Sequence, residues 1–253
     1  MGFGLLLDTD GDDDYEAEGT TEAPDGTKLA QSYSQGCGLG FHPKTPDGGE
    51  GEIMAAGGLG MLCDTDGSDS YDGGYCTQGT GFYLGVGALY DSNGKDKYRA
   101  GSHSQGSSLF HSIGVLFDKE ARDSYSFKGK NSQGVGFDAA FGALVDMAGG
   151  DSYSGEEYAQ GISAHKGFGL LFDGEGADSY KADSPCHADL GEQGEHWEDD
   201  WPDVAMLVDV GEDRNKFSGS ERKDKSSDIL DLLIFISLDK KLEEALGGSL
   251  EVN

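Results

Sequence analysis

Aspartates recur in two columns at fixed spacing along most of the chain. The strand-end aspartates close a short apolar segment in each repeat: Asp8, Asp64, Asp91, Asp118, Asp146, Asp173 and Asp209. The turn aspartates follow five residues later: Asp13, Asp69, Asp96, Asp123, Asp151 and Asp178. Carboxylate oxygens are the ligands that calcium prefers. All of these residues except Asp209 are therefore candidate ligands of a cation, with calcium as the expected ion.

Four other features recur with the aspartates in each repeat. Leucine precedes each strand-end aspartate by two residues, and glycine precedes it by four, with Ala205 replacing glycine in the last copy. Tyrosine follows seven residues after the strand-end aspartate, and a Gln-Gly pair closes the unit. Between Asp64 and Asp173 the repeat length is 27 or 28 residues. A fixed period of this length is typical of a solenoid or an array.

Within each unit, side-chain character alternates with a period of two, which predicts β-strands. The Asp-x-x-Gly-x-Asp segment between two strands predicts a turn, in which Gly11, Gly67 and Gly94 adopt positive φ. The Gln-Gly segment is expected to be a third short strand. Such small units bury a core only when they stack. We therefore predict an all-β parallel β-solenoid of about seven coils, roughly 34 Å long. A propeller is the alternative, but its blades are longer.

Stacked coils would place identical aspartates ~4.8 Å apart. Two such charges repel by about 1 kcal/mol in water, and by several-fold more at a lower effective dielectric. Calcium bound between them would remove this repulsion. The alternative is that each strand-end aspartate faces water and accepts hydrogen bonds from the N–H groups of its own turn, without metal. The turn aspartates would do likewise, or would accept hydrogen bonds from neighbouring tyrosine or glutamine side chains.

The motif Gly-x-Gly-Leu-Leu-Leu-Asp-x-x-Gly-x-Asp-x-Tyr resembles the uncharacterised Gly/Asp-rich repeats of some bacterial proteins. It is also loosely similar to the calcium-binding repeats of RTX proteins, whose tandem unit is Gly-Gly-x-Gly-x-Asp-x-apolar-x. The part comparable with RTX units is the loop Asp-x-x-Gly-x-Asp-x-Tyr. The resemblance covers residues 1–217 and implies a β-solenoid architecture, with calcium in the turns of an RTX-like unit.

The net charge of −30 predicts repulsion from nucleic acid and from anionic membranes, and attraction of cations. Calcium binding, a salt-rich habitat and plain solubility each account for an acidic chain.

No signal peptide is visible, and no apolar run is long enough to insert into a membrane. Four cysteines without a Cys-x-x-Cys pair leave the redox compartment open. Cys63 lies in the apolar strand, so we expect it in the core.

The domain organisation follows from where the repeat breaks. Residues 1–217 form the predicted solenoid, with insertions at 16–30, 41–56 and 181–201. Residues 218–253 form a linker and a capping helix, expected over about 228–246. Because the chain opens directly on a repeat strand, without an atypical capping unit, we expect it to be a fragment of a longer protein or to have that end covered.

One face of the first strand must point away from the interior, yet both faces are apolar. Phenylalanine, valine, isoleucine and leucine occupy one face, and glycine and leucine the other. The sequence leaves open which face points inward. A thick two-layer core would cover both, whereas an exposed face would bind a protein partner or a second copy.

Few other residues indicate chemistry. Cys186, His187, Asp189 and His196 in the third insertion are metal-ligand types without a known zinc spacing. His103, His111, His165, Arg99 and Arg122 lie outside the repeated columns. No nucleophile elbow, Walker loop or His-Glu-x-x-His motif is present.

We therefore predict a non-catalytic structural or binding module, extracellular or at the cell surface, stiffened by calcium. The alternative is a carbohydrate-active β-helix enzyme, a polysaccharide lyase or hydrolase, with its site among the insertions.

Overall fold

A computed structural model describes residues 2–17, 20–22, 28–30, 32–40, 57–183, 186, 188, 203–210, 215–218 and 232–238, and within these ranges the chain is entirely β. The first twelve strands are β1 (Phe3–Leu7), β2 (Asp14–Ala17), β3 (Thr20–Glu22), β4 (Lys28–Ala30), β5 (Gly38–Leu39), β6 (Leu59–Cys63), β7 (Ser70–Gly73), β8 (Gly81–Phe82), β9 (Val86–Tyr90), β10 (Lys97–Ala100), β11 (Ser108–Leu109) and β12 (Ile113–Asp118). The others are β13 (Ser124–Phe127), β14 (Lys130–Ser132), β15 (Gly136–Phe137), β16 (Phe141–Ala148), β17 (Ser152–Ser154), β18 (Glu157–Ala159), β19 (Ser163–Ala164), β20 (Phe168–Glu175), β21 (Ser179–Lys181), β22 (Val204–Val210), β23 (Lys216–Ser218) and β24 (Leu232–Leu238).

Three sheets run along the axis of the molecule. The first sheet has the order β1-β6-β9-β12-β16-β20-β22-β24, the second β2-β7-β10-β13-β17-β21-β23, and the third β19-β15-β11-β8-β5. Each successive coil contributes one strand to the first sheet and one to the second. The predicted parallel β-solenoid of about seven coils is therefore confirmed, and the propeller alternative is wrong.

The coils stack without any shift in register. In the first sheet Gly114 pairs with Gly87 on one side and Gly142 on the other. In the second sheet Tyr98 pairs with Tyr71 and Tyr125. Each repeated column of the sequence thus becomes a ladder of like residues along the axis.

Glycine and leucine point into the solenoid, which decides which face is inside. The leucine ladder and the tyrosine ladder form the main hydrophobic core: Leu62, Leu89, Leu116, Leu144, Leu171 and Leu207 with Tyr71, Tyr98, Tyr125, Tyr153 and Tyr180. Neighbouring tyrosine rings of the five are parallel, with centroids 4.7–4.9 Å apart. The larger apolar side chains of the first sheet therefore face outward.

The inward glycines allow the first and third sheets to touch through their backbones. A Cβ added to Gly114 would lie 2.0 Å from the carbonyl oxygen of Ser107, and one added to Gly142 would lie 2.1 Å from that of Val135. No side chain fits in such a space. The glycine column thus sets the small thickness of this half of the solenoid.

The Gln-Gly pair forms a corner, so the predicted third strand at this position is wrong. Gln105 (φ 54°) and Gly106 (φ 73°) both adopt left-handed conformations, which are incompatible with an extended strand. The third-sheet strand begins two residues later. The Gln105 side-chain amide donates to the carbonyl oxygens of Tyr98 in its own coil and Ser126 in the next, both at 3.0 Å. The buried glutamine therefore joins successive coils.

Two further sequence predictions differ from the structure. Within the helix expected at 228–246, residues 232–238 instead form β24, which pairs antiparallel with β22. A seven-residue apolar run fits either element, and an unpaired edge of β22 favours a strand. The rest of that predicted helix, and the second insertion, lie outside the described residues. Cys63 is half-exposed on the outer face of β6 rather than in the core.

Candidate metal centre

Both aspartate columns lie inside the solenoid. From Asp64 to Asp209, every strand-end aspartate is at most 1% exposed, and from Asp69 to Asp178 every turn aspartate is at most 3% exposed. Period-two alternation explains this arrangement, because each strand-end aspartate shares the inward face of the leucine two residues before it. The alternative of aspartates facing water is therefore wrong for these coils. Its hydrogen bonds from the same turn do occur at two strand-end aspartates, because Asp64 Oδ1 accepts the Asp66 N–H and Asp146 Oδ1 accepts the Ala148 N–H, both at 3.3 Å. Only in the first coil are Asp8 and Asp13 partly exposed.

Each turn aspartate completes the turn of the preceding coil. The Asp96 N–H donates to Asp123 Oδ1 at 2.6 Å, and the Asp123 N–H donates to Asp151 Oδ1 at 2.6 Å. The same contact recurs from Asp13 to Asp69 and from Asp69 to Asp96. Because the backbone holds Oδ1, the orientation of the carboxylate is fixed.

The last coil makes the same contact without a charge. Asn215 occupies the position of the turn aspartate, and its Oδ1 accepts the Asp178 N–H at 2.8 Å. The turn geometry thus needs only an oxygen acceptor. The charge of the other turn aspartates is not required for this hydrogen bond.

Tyrosine hydroxyls hold one oxygen of the strand-end aspartates. Tyr71 donates to Asp91 Oδ2 at 2.6 Å, and Tyr98 donates to Asp118 Oδ2 at 2.6 Å, in each case across to the following coil. At the other end Tyr180 donates to both Asp173 and Asp209. These hydrogen bonds fix the position of one oxygen in each of these strand-end carboxylates.

The remaining carboxylate oxygens are buried and have no hydrogen-bond partner in good geometry among the described residues, although the backbone N–H groups of Ser92 and Lys119 lower the pKa of Asp91 and Asp118 in part. They are Oδ1 of Asp91, Asp118 and Asp173, and Oδ2 of Asp69, Asp96, Asp123 and Asp151. An unpaired buried carboxylate oxygen is costly, and each one in a native protein requires an explanation such as a bound ion.

Aspartates from adjacent coils converge in threes. In each aspartate triad, one carboxylate oxygen of each residue lies within 4.8 Å of the other two, and the three residues are a turn aspartate with both aspartates of the next coil. The described residues contain five triads: Asp13–Asp64–Asp69, Asp69–Asp91–Asp96, Asp96–Asp118–Asp123, Asp123–Asp146–Asp151 and Asp151–Asp173–Asp178. Asp69, Asp96, Asp123 and Asp151 each belong to two of them. The triads therefore form one continuous row rather than separate sites.

Burial makes the ionised form of these carboxyls expensive. Desolvation raises the pKa of Asp69 to about 7 and that of Asp96 to about 8, although backbone N–H donors lower both values in part. Desolvation and the charge of Asp178 raise the pKa of Asp173 to about 8. The pKa values of Asp123 and Asp146 are also raised, for the same physical reasons. Without a cation, the row must hold protons near neutral pH or carry uncompensated charge.

Of the twelve predicted ligands, eleven belong to triads and one does not. Asp8 is the exception. Its Oδ1 accepts the Thr9 N–H at 2.7 Å, as expected for the metal-free turn that the sequence offered as an alternative. Asp209, which was not a predicted ligand, is buried and accepts a hydrogen bond from Tyr180.

Within the part of the chain that the structure describes, the other candidate residues do not converge on a site. Cys186 is buried beside Ala182, and its proposed co-ligands His187, Asp189 and His196 lie outside the described residues. Arg99 pairs with Asp72 on the surface of the second sheet. Arg122 donates to the Gly150 carbonyl oxygen.

The three histidines are likewise dispersed. His103 is buried, and desolvation lowers its pKa to about 4, so it is neutral. His165 contacts Asp138 at 2.8 Å, and His111 is exposed.

The sequence offered tyrosine as a donor to the turn aspartates, whereas the tyrosine hydroxyls donate to the strand-end aspartates. The signal was present, because tyrosine keeps a fixed spacing from both aspartates and shares a face with the turn aspartate. The sequence alone does not give the relative positions of successive coils along the axis. Those positions decide the role of tyrosine, because the hydroxyl of one coil reaches the carboxylate of the next.

Comparison of the chain with models of known protein families, with curated proteins and with solved structures gave no match. Among the described residues, no helix has the length and apolar character needed to cross a bilayer. The functional argument therefore depends on the geometry of the triads.

Proposed function

We propose that this chain is a non-catalytic structural β-solenoid module whose aspartate triads bind a row of calcium ions. The observation that carries this proposal is the set of oriented, buried carboxylate oxygens that lack hydrogen-bond partners at the triads. The ions would replace the missing hydrogen bonds and neutralise the charge of the ladders. The solenoid would then be stabilised from within, coil by coil.

Charge balance favours a divalent ion. Each additional triad along the row adds two aspartates, one strand-end and one turn, because the other turn aspartate is shared with its neighbour. One divalent cation per triad matches these two negative charges. A monovalent cation would leave one negative charge uncompensated in each coil, and a trivalent cation would leave one excess positive charge.

Coordination chemistry favours calcium over magnesium. Calcium takes six to eight oxygen ligands at about 2.3–2.6 Å in flexible geometry, and carboxylates and backbone carbonyls both serve. Magnesium demands a near-ideal octahedron, gives up its waters reluctantly and is seldom held by an all-protein cage. The triads offer protein carboxylates in a buried row, which suits calcium better than magnesium.

A catalytic role for these carboxylates is not favoured by their burial. A general acid or base must reach the reacting atoms of its substrate, whereas the triad aspartates beyond the first coil are enclosed by the coils. The carbohydrate-active enzyme would therefore need a site elsewhere. We also propose an extracellular or cell-surface location, where calcium is abundant enough to fill a row of such sites.

The test is a calcium titration of the chelator-stripped protein, followed by thermal unfolding with magnesium as the control ion. Ligand that binds only the folded state raises stability with its concentration. We expect a calcium-specific increase in the melting temperature and about five bound ions per chain by equilibrium dialysis, one for each triad. An increase no larger than that with magnesium would contradict the proposal.

Terbium provides an independent reading of the site. The tyrosine hydroxyls contact the strand-end aspartates directly, so terbium bound at the triads should luminesce when tyrosine is excited. Calcium should displace the terbium and so abolish the luminescence. The Glu120→Gln variant, which removes an exposed carboxylate from the same turn as Asp118, should leave the signal unchanged.

A further inference from the structure

The outer face of the first sheet is a continuous apolar surface, which we call the apolar face. It consists of three outward residues from each of the seven parallel strands: Phe3, Leu5, Leu7, Leu59, Met61, Cys63, Val86, Ala88, Tyr90, Ile113, Val115, Phe117, Phe141, Ala143, Val145, Phe168, Leu170, Phe172, Val204, Met206 and Val208. None of these side chains is charged, although 26% of the chain is Asp, Glu, Lys or Arg. A solvated sheet face would not exclude charge so completely.

The first column of the apolar face is the most open to solvent. Val86 is 37% exposed, Ile113 is 45% exposed and Phe141 is 37% exposed, and all three belong to interior strands of the sheet. Aromatic rings add to the surface, with Phe141 stacked on Phe168 at 5.1 Å and Tyr90 on Phe117 at 5.6 Å. The outer face of the second sheet differs, since Lys97, Arg99 and Ser126 lie there.

The size of the apolar face fits a protein dimer. Seven strands at ~4.8 Å and five residues at ~3.3 Å give a plane of roughly 550 Å². Two such faces would together bury about 1,100 Å², which is just above the roughly 1,000 Å² that a biological interface should exceed. The largest apolar patch on a typical monomer is about 300–600 Å², so this face is at the upper end of that range.

We propose that the apolar face binds the same face of a second copy of this chain, forming a face-to-face homodimer. Two flat sheets pack face to face at about 10 Å through interdigitated side chains. The central column carries side chains of unequal size, with Ala88 and Ala143 between the larger Met61 and Leu170. Large side chains of one copy can therefore pack over the alanines of the other.

The charge of the chain argues against a lipid surface as the occupant. Anionic membranes would repel a chain of net charge −30. A second copy is repelled as well, but that repulsion is screened beyond about 8 Å at physiological salt, whereas the contact itself is free of charge. The homodimer should therefore strengthen as salt is added. A basic partner protein would bind more weakly with added salt.

The first test is sedimentation equilibrium of the full chain from about 1 to 100 µM, compared with two variants that add the same charge. Val115→Asp places a carboxylate at the centre of the apolar face and should raise the dimer dissociation constant at least about 100-fold. Ser126→Asp, on the second sheet of the same coil, should leave it unchanged. A monomeric wild type, or a Val115→Asp variant that still dimerises, would overturn the proposal. Circular dichroism establishes that each variant folds, and Ile113→Asp replaces Val115→Asp if that variant does not.

Cys63 gives a second measurement without any substitution. Its thiol lies on the apolar face, so dimerisation should slow its alkylation, and the protection should disappear on dilution. Protection that does not depend on concentration would mean that another segment of the same chain covers the face, which would overturn the proposal. Both measurements can be made with calcium or with chelator, so their result is independent of whether the triads bind metal.

Discussion

The hydroxyl of Tyr98 donates a 2.6 Å hydrogen bond to Asp118 in the following coil, inside the solenoid. Both side chains are completely buried. The contact joins a hydrophobic ladder of stacked rings to an acidic ladder, so the core and the candidate metal site are one structure. Changes to either ladder should therefore be measurable in both stability and cation binding.

Tyr98→Phe should reduce the free energy of unfolding by about 1–3 kcal/mol, because it removes the donor from a buried carboxylate. The ring stack should survive, since Phe217 stacks on Tyr180 at 4.6 Å without a hydroxyl. Urea unfolding measures the change. Tyr90→Phe, on the half-exposed outer face, is the matched control and should change stability by less than about 0.5 kcal/mol. Equal effects from the two variants would contradict this role of the hydroxyl.

The effect of Asp118→Asn on the free energy of unfolding should change sign when calcium is added. In chelator at pH 8 the variant should be more stable than wild type by about 1–3 kcal/mol, because a buried charge without a counter-ion is removed. In saturating calcium it should be less stable than wild type, because one triad has lost a ligand. Glu120→Gln should show neither effect. A variant that is destabilised equally in both conditions would indicate a purely structural aspartate.

Asp123→Asn should affect two triads, whereas Asp118→Asn should affect one, because Asp123 is shared between adjacent triads. The amide can still accept the Asp96 N–H, as Asn215 accepts that of Asp178. We therefore expect a folded protein that binds about two fewer calcium ions by equilibrium dialysis. A loss of the same number of ions from both variants would contradict a shared ligand.

Chelator-stripped protein should lose stability as pH rises. The folded-state pKa values of Asp69, at about 7, and of Asp96 and Asp173, at about 8, lie above the usual value near 4 for an unfolded chain. The folded state therefore holds protons that the unfolded state releases. The associated stability is fully present below about pH 4 and is lost as pH rises to about 8.

Each such group should contribute a slope of about 1.4 kcal/mol for each pH unit, which denaturant unfolding between pH 5 and 8 can measure. Asp96→Asn should reduce the slope, whereas Glu120→Gln should not, which separates the buried row from the overall charge. With calcium present the slope should flatten or reverse, since ligands must be deprotonated to bind metal. If the chelator-stripped protein were more stable at pH 8 than at pH 5, the buried aspartates would not hold protons in the folded state.

Gly114→Ala should destabilise the fold by about 3 kcal/mol or more, because the new methyl group would meet the Ser107 backbone oxygen at 2.0 Å. Backbone on both sides leaves little room for adjustment. Gly150→Ala is the control, since its nearest atoms would lie 3.8 Å away. Its thermal midpoint should be within a few degrees of wild type, or slightly higher, because alanine restricts the unfolded chain.

The sequence predicted the solenoid, the coil number and the aspartate columns, because each depends on period and residue type alone. It could not decide which face of the first strand is inside. Burial preferences favour phenylalanine and valine over aspartate, yet Asp118 points inward and Phe117 outward. The deciding factor is the backbone contact at Gly114, which leaves no space for a large side chain.

The triads could not be predicted either, because each one combines residues from two coils and depends on their relative height. The same limit applies to β24, where the apolar segment Leu232–Leu238 has no period that separates a strand from a helix. Pairing with the edge of β22, which is a tertiary contact, decides the outcome.

The contact from the Asp96 N–H to Asp123 always runs in one direction, from each coil to the next, and the bonds of Tyr98 to Asp118 and of Gln105 to Ser126 run in the same direction. Each coil therefore leaves polar groups that its successor satisfies. During synthesis on the ribosome, a newly emerged coil would be completed only when the following one arrives. The coils should then fold in order from the amino terminus, and each new coil should pair with the coil before it and satisfy that coil's polar groups.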